Sequence, residues 1–301
     1  MPFTYEKINY RGEDCAEITG FEGTVRNLTF PEEIGGLPVR SIGKHAFAGR
    51  KDVQEVDLPA TLKKLSLFAF HNCVRLSAMS LYDSVEDYYD GVIRQCGSLE
   101  EIALRCSKKT FTLMKEMLED NDRAMSFHLF LPGEEIRLSF PDYALIASEN
   151  TMARTIQFAY EGGGYAYRNC VRRKEIKFRE YDRLFPFMEH DDPDFAAVIA
   201  ADRLMYPHDL APASEAQYTS FLRENAADAL RIFIRKRQIE RVQLITENKL
   251  ADEAALSSAL QLASEMKETA ICAILMESGR QNTEKSQDLS LELDGWDDDD
   301  W

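Results

Sequence analysis

The chain has 301 residues, enough to bury a sizeable core and to form two domains, and its 45% hydrophobic and 29% charged residues are ordinary for a globular protein. The net charge of −16 is uneven, because Gln281 to Trp301 hold eight acids against Lys285 alone, a net −7 that leaves −9 for the rest. This balance excludes a nucleic-acid backbone as the main partner, since such binders cluster Lys and Arg, and the nearest approach to a basic patch is Arg172-Arg173-Lys174.

The start, Met1-Pro2-Phe3-Thr4-Tyr5-Glu6-Lys7, has no basic segment leading into an apolar run, so no secretory signal is read. No window approaches the ~18 apolar residues of a membrane span. A cytoplasmic location is expected, with a trimmed exported form as the alternative. The cysteines at 15, 73, 96, 106, 170 and 272 include no C-x-x-C pair and are expected as small buried hydrophobes. No membrane partner, metal or other cofactor is expected.

From residue 53 onward the chain repeats itself every 23 residues. Val53, Leu76 and Leu99 fall in register, followed by Val56, Met79 and Ile102, then Leu58, Leu81 and Leu104. Leu62 maps to Val85, Leu65 to Tyr88 and Ala69 to Val92, while Phe47, Phe70 and Ile93 align and Cys73 sits over Cys96. Apolar character persists at these positions while the residues between them change. A Leu-x-x-Leu-x-Leu pattern puts alternate side chains on one face of a short strand, and the rest of each copy must return by a turn. One copy cannot bury its apolar face alone, so neighbours supply the other wall and a solenoid is expected.

The segments "LTFPEEIGGLPVRSIGKHAFAGR" (Leu28 to Arg50), "VDLPATLKKLSLFAFHNCVRL" and "MSLYDSVEDYYDGVIRQCGSL" resemble BspA-like bacterial leucine-rich repeats over about residues 14 to 106. The first copy carries a five-residue insertion around Gly35-Gly36-Leu37-Pro38, and the third replaces Ala-Phe by Val92-Ile93. The repeat also accounts for Phe70-His71-Asn72-Cys73. A thiol nucleophile needs an oriented base, and Cys96 is preceded by Arg94-Gln95, so no Cys–His pairing recurs. Cys73 and Cys96 are expected as stacked core thiols, with His71 at a solvent-facing turn.

After Leu104 the period stops. "SKKTFTLMKEMLEDND" predicts a helix with Phe111, Met114, Met117 and Leu118 on one stripe and Ser107 as N-cap, closing the open end of the solenoid. "FHLFL" and "IRLSF" around Pro132-Gly133 predict a hairpin, and further strands are expected over Ile156 to Tyr160 and Tyr165 to Val171. The glycine cluster between them, "EGGGYAYR", lacks the lysine of a phosphate loop and is read as a turn. Asp192-Pro193-Asp194 marks a helix start; with His190 and Asp191 it could also hold a metal, but no second histidine is spaced to complete a site. Ser214 with Gln217 reads as a capping box before Tyr218, Phe221 and Leu222. "ALRIFIRKRQIERVQLITEN" lies over "ALQLASEMKETAICAILMES" at an offset of 30, which predicts two stacked helical hairpins of ankyrin-like form without the Thr-Pro-Leu-His motif.

The expected fold class is α+β: a leucine-rich-repeat solenoid with a capping helix over 1–122, a small β-rich region over 123–185, a helical ankyrin-like domain over 186–280 and an acidic tail over 281–301. A solenoid of this kind binds proteins or peptides on its strand face. The register assigns that face Asn27, Thr29, Glu55, Asp57, Ala78, Ser80, Glu101 and Ala103, a mildly acidic strip suited to a basic partner. Trp296 and Trp301, set among acids, are a second candidate contact. The competing readings are a hydrolase using His128, His190, His208, Glu189 or Cys170, which share no motif, a surface adhesin if the chain is exported, and a scaffold for self-association.

Overall fold

The computed structural model describes residues 2–107, 110–150 and 155–280, with the side chains of 147–150 and 155–158 left undescribed. The chain divides into two compact units, one of Met1–Asp191 with Tyr206–Leu210, the other of Asp192–Met205 with Ala211–Trp301.

The first unit opens with an antiparallel hairpin of β1 (Phe3–Tyr10) and β2 (Glu13–Phe21). Then come β3 (Asn27–Thr29), β4 (Glu33–Ile34), β5 (Leu37–Ile42), β6 (Glu55–Asp57), β7 (Lys64–Leu65), β8 (Ala78–Tyr82), β9 (Asp87–Tyr88) and β10 (Glu101–Arg105). Helix α1 (Thr112–Asp120) interrupts before β11 (Met125–Leu131) and β12 (Glu134–Phe140). These strands form two stacks, β3-β6-β8-β10-β11-β12 and β1-β2-β5-β7-β9, with β4 on β5. In the first stack Leu28, Val56, Met79, Ile102 and Phe127 lie side by side, none more than 2% exposed. Burying such a column contributes about 1.5–3 kcal/mol per side chain, and only the stack makes the burial possible.

The return path of each copy is fixed by backbone that few residues tolerate. His45, Phe68 and Gly91 adopt φ of 57°, 57° and 75°, and Gly49, Asn72 and Gln95 adopt 73°, 57° and 62°, so both left-handed positions recur with the 23-residue step. Between them the copies bond to each other: Phe47 N–H donates to the Ala69 carbonyl at 2.9 Å, and Phe70 N–H to Val92 at 2.9 Å. Gly91 is required twice over, because a Cβ there would lie 2.3 Å from the Phe68 ring. Asn72 therefore stands before Cys73 for conformational reasons, asparagine being among the side chains that accept this region best. The Cys73 thiol donates to the Phe47 carbonyl and the Cys96 thiol to the Phe70 carbonyl, each at 3.1 Å. Both are fully buried, and the adjoining Cys73 thiol together with burial pushes the Cys96 thiol up. They are the stacked core thiols the repeat predicted. His71 departs from expectation: it is half-buried, edge-on to Phe68 at 5.3 Å.

At the last copy no further return segment exists to accept these amides. Asp120, at the end of α1, takes over: its carboxylate accepts from Gly91 N–H and Ile93 N–H at 2.9 Å each and from the Tyr88 hydroxyl at 2.9 Å. Asn121 continues the cap by donating to the carbonyls of Ile93 and Cys96. The predicted stripe of Phe111, Met114, Met117 and Leu118 is buried. Ser107 is not the N-cap; its hydroxyl donates to Asp83 at 2.9 Å, and the helix begins at Thr112 without a side-chain cap.

The hairpin of β11 and β12 forms as predicted but belongs to the solenoid's own sheet, β11 running parallel to β10. The next elements are β13 (Ala144–Asn150), β14 (Thr155–Glu161), α2 (Gly164–Arg168), α3 (Phe178–Arg183) and α4 (Phe185–Asp191). The strand expected from Tyr165 is thus corrected to helix. The cause is the glycine cluster: Gly162 turns the chain at φ +84°, and a Cβ on Gly164 would meet the Pro141 carbonyl at 2.1 Å. That turn delivers Arg168 into the interior, 3% exposed, where it donates to the carbonyls of Pro141, Gly164, Leu118, Asn121 and Arg123. Burial pulls its guanidinium down to about 10.

The second unit contains α5 (Pro193–Met205), α6 (Pro212–Glu224), α7 (Ala226–Arg235), α8 (Ile239–Glu247) and α9 (Glu253–Glu265), and residues 269–280 are helical. Asp192 caps α5 by accepting from Phe195 N–H at 3.0 Å, as the sequence predicted. Ser214 does not cap α6, because Pro212 starts that helix two residues earlier. The 30-residue offset is seen in the turns: Arg237 (φ 56°) and Lys267 (φ 61°) are both left-handed, with Gln238 N–H to Phe233 O at 2.8 Å and Glu268 N–H to Ala263 O at 2.9 Å. Inside the unit, Arg241 and Asp202 form a paired bridge, 2% and 1% exposed, with N···O as short as 2.8 Å. Among the described residues no helix is long and apolar enough to cross a membrane.

Candidate partner-binding face

Side chains on the first stack alternate between the interior and the outside. The outward positions form two rows set by strand register. Asn27, Glu55, Ala78 and Glu101 make one row, while Thr29, Asp57, Ser80, Ala103 and His128 make the other. All eight residues assigned to the face from the sequence line one open groove of about 250 Å³, together with His128 and the tops of the buried column. Trp296 and Trp301 lie outside the described residues.

The two ends of the groove differ. On β6, Glu55 and Asp57 are exposed and make no ion pair with any described residue. They stand on the same side of the strand about 7 Å apart, two residues at ~3.3 Å each. Toward β12 the charge is compensated. Arg137 donates to Glu101 at 2.8 Å, and His128 Nε2 lies 3.0 Å from Glu135 Oε2. Arg105 bonds to Ser80 and stacks over Tyr82 at 5.4 Å and Phe130 at 5.7 Å. The mildly acidic character expected of the strip is concentrated on β6, because Glu101 is paired with Arg137 of β12. Small side chains at Ala78, Ser80 and Ala103 form the floor between these ends.

Residues 21–121 match the BspA type leucine rich repeat region in six copies. Over this segment the chain is similar to BspA-type leucine-rich repeats, and it folds as a solenoid. Among solved structures, the chain is similar to a leucine-rich repeat protein of T. pallidum at 25% identity and a TM-score of 0.32, over 35% of this chain and 51% of that one. It is also similar to one from Bacteroides ovatus at 20% identity and a TM-score of 0.30, over 44% and 36% of the two chains. A leucine rich cell surface protein from Faecalibacterium prausnitzii matches at 20% identity and a TM-score of 0.29, over 42% and 41%. The chain thus spans about half or less of each of these proteins. A comparison with curated proteins finds no match.

The fold brings together only part of the hydrolase set. His128 on β11 and His208 both meet the β11–β12 hairpin, His208 Nδ1 lying 2.8 Å from Glu134 beside the His128 partner Glu135. Cys170 is buried, donates to the Ala166 carbonyl at 3.6 Å, and is pushed up to about 12 by burial, so its thiol stays protonated at neutral pH. Glu189 and His190 sit on α4, at the other end of the segment that follows the solenoid. Reading the sequence missed His128, Arg105 and Arg137 as members of the face. An offset of 25 rather than 23 relates Ile102 to its neighbour Phe127, so a search at the fixed period passes over β11.

Proposed function

We propose that the chain is an interaction module whose BspA-type solenoid binds a protein or peptide, not a nucleic acid, along the strand face from β3 to β11. The observation that carries this reading is the gathering of the eight outward residues into one groove with two unpaired carboxylates at one end. A basic side chain of the partner sits over Glu55 and Asp57, and a smaller, less charged portion crosses the floor at Ala78, Ser80 and Ala103. Leucine-rich solenoids generally work by such contacts. The stacked hairpins of the helical unit, read as ankyrin-like, offer a second surface for the same kind of work. A cytoplasmic location belongs to the same proposal and is supported by the six unbridged cysteines.

The test is fluorescence anisotropy with two pools of labelled peptides of equal length, one bearing lysine and arginine, the other glutamate. The intact protein should prefer the basic pool, and Glu55→Lys with Asp57→Lys should reverse the preference without altering the thermal midpoint. Glu101→Lys should matter less, since that charge is already spent on Arg137. Equal binding of both pools, or a preference that survives the double reversal, would remove this face from consideration.

A further inference from the structure

The acidic corner on β6 is not the whole of the charge on the strand face. The six strands of the first stack contain no lysine and two arginines, Arg105 and Arg137. Arg137 is paired with Glu101, whereas Arg105, exposed at the end of β10, forms no ion pair with any described residue. Asp83, which follows Tyr82 at the end of β8, is bonded by the Ser107 hydroxyl at 2.9 Å instead.

Arg105 is nevertheless held in place. Strand register sets it between Tyr82 and Phe130, and its guanidinium lies over both rings, 5.4 Å and 5.7 Å from their centroids. It also reaches back to the Ser80 hydroxyl on the floor of the groove, so its charge stands at the groove's rim. An arginine fixed in this way has already given up much of its rotamer freedom, and a ligand bonding to it does not bear that cost again. The hydroxyl takes one N–H and the rings take the faces, which leaves further donors for a carboxylate.

The face therefore carries unpaired charge of both signs, at a spacing the register fixes. Strands β6 and β10 are separated by two strand spacings, ~9.6 Å in all. Arg105 lies two residues beyond the position level with Asp57 and four beyond the position level with Glu55. At ~3.3 Å per residue, the Cα atoms of Asp57 and Arg105 are about 12 Å apart and those of Glu55 and Arg105 about 16 Å. An extended chain covers that range in about four residues, and side chains four apart project from the same side of it. The residue midway between them faces the small side chains of the floor, Ala78, Ser80 and Ala103.

We infer that the peptide recognised on this face is dipolar, with a lysine or arginine seated on Glu55 and Asp57 and, about four residues away, an aspartate or glutamate seated on Arg105. This rests on the proposed binding of a basic partner along the strand face and adds to it a second charge and a spacing. A peptide that is basic throughout would bring a cation against Arg105, so the face selects for charge order and not for positive charge alone.

The test is fluorescence anisotropy with labelled peptides of equal length. Two carry arginine and, four residues away, glutamate, in either order; a third has glutamine in place of that glutamate; a fourth has arginine and glutamate adjacent. The better of the two dipolar peptides should bind about fivefold more tightly than the glutamine peptide, as one exposed ion pair allows. The adjacent pair should do no better than glutamine. Arg105→Gln should erase the gain while leaving the affinity of the glutamine peptide unchanged. Arg105→Lys should keep part of the gain, and Arg105→Glu should transfer it to a peptide with lysine at the acidic position. The inference is overturned if glutamate at that distance adds nothing, if adjacent glutamate serves as well, or if the gain survives Arg105→Gln. The underlying reading fails in a different way, when the glutamine peptide binds equally well after Glu55→Lys with Asp57→Lys, and that result removes the inference with it.

Discussion

The two units of this protein both repeat, one at 23 residues and the other at 30, and both mark each repeat with left-handed backbone. They differ in how they treat buried charge. The solenoid buries a carboxylate to finish a hydrogen-bond pattern: Asp120 accepts the amides of Gly91 and Ile93, which in earlier copies would find carbonyls of the next turn. The helical unit buries a carboxylate beside a guanidinium, Asp202 with Arg241, and so pairs one charged side chain with another. Backbone donors cannot be mutated away, so the first arrangement is tied to the position of the chain end of the array. The second is carried by side chains and can be exchanged for something else.

The largest effect expected follows from the second arrangement. Arg241→Ala leaves a carboxylate buried without its bidentate partner and should destabilise the helical unit by about 3–5 kcal/mol. Denaturant unfolding followed by hydrogen exchange should place the loss in residues 192–205 and 211–280 and leave the solenoid amides protected. A loss spread evenly over both units would erase the distinction between them.

Asp120→Ala comes next, at about 3–4 kcal/mol, because two buried amides and a phenol lose an ionised acceptor together. Its signature is local. The amides of Gly91 and Ile93 should exchange faster while those of Phe68 and Phe70, which bond to Asp90 and Val92, stay protected. Asp120→Asn keeps one acceptor oxygen and should recover part of the loss.

A smaller pair of changes probes the left-handed positions. Gly91→Ala should destabilise by about 2 kcal/mol, since the added methyl meets both an unfavourable φ and the Phe68 ring. Gln95→Gly, at the other left-handed position, should be neutral or stabilising by up to about 1 kcal/mol in the thermal midpoint. If Gln95→Gly is as damaging as Gly91→Ala, side-chain contacts rather than backbone conformation set the return path.

The smallest expected effect is one of pH at the start of the array. Arg50 beside Asp52, with a further bond from Val25 N–H, holds the Asp52 carboxyl down to about 2. A group depressed in the folded state adds stability that is full above its ordinary value near 4 and lost as the pH falls through 2. Asp52→Asn should therefore flatten the decline in thermal midpoint between those pH values while leaving the neutral value slightly lower. An unchanged acid slope would show that other carboxylates dominate it.

Much of the solenoid was legible because burial repeats whatever the intervening residues do. Val56, Met79 and Ile102 could be matched by spacing alone, and the outward rows followed from strand alternation. What spacing could not show is the strand after the interruption. Helix α1 replaces the usual return segment, lengthens the copy by two residues and shifts β11 out of the 23-residue register, so the groove's basic side went unread. The second miss, helix in place of strand from Gly164, has a different origin. Tyr165, Tyr167 and Val171 carry strand propensity, but the backbone contact of Gly164 with Pro141 and the long reach of Arg168 decide the matter, and both are tertiary.

The Asp120 seal has an implication for how such arrays change length. Every amide it covers belongs to the final copy, and each preceding copy hands its amides to a neighbour of the same kind. A whole 23-residue copy inserted between Ser66 and Asp90 would thus find matching partners on both sides, whereas one appended after Cys96 would meet a carboxylate already occupied. Growth and shrinkage of this molecule by duplication or deletion are confined to its middle, and the groove would lengthen or shorten with them in steps of a single strand.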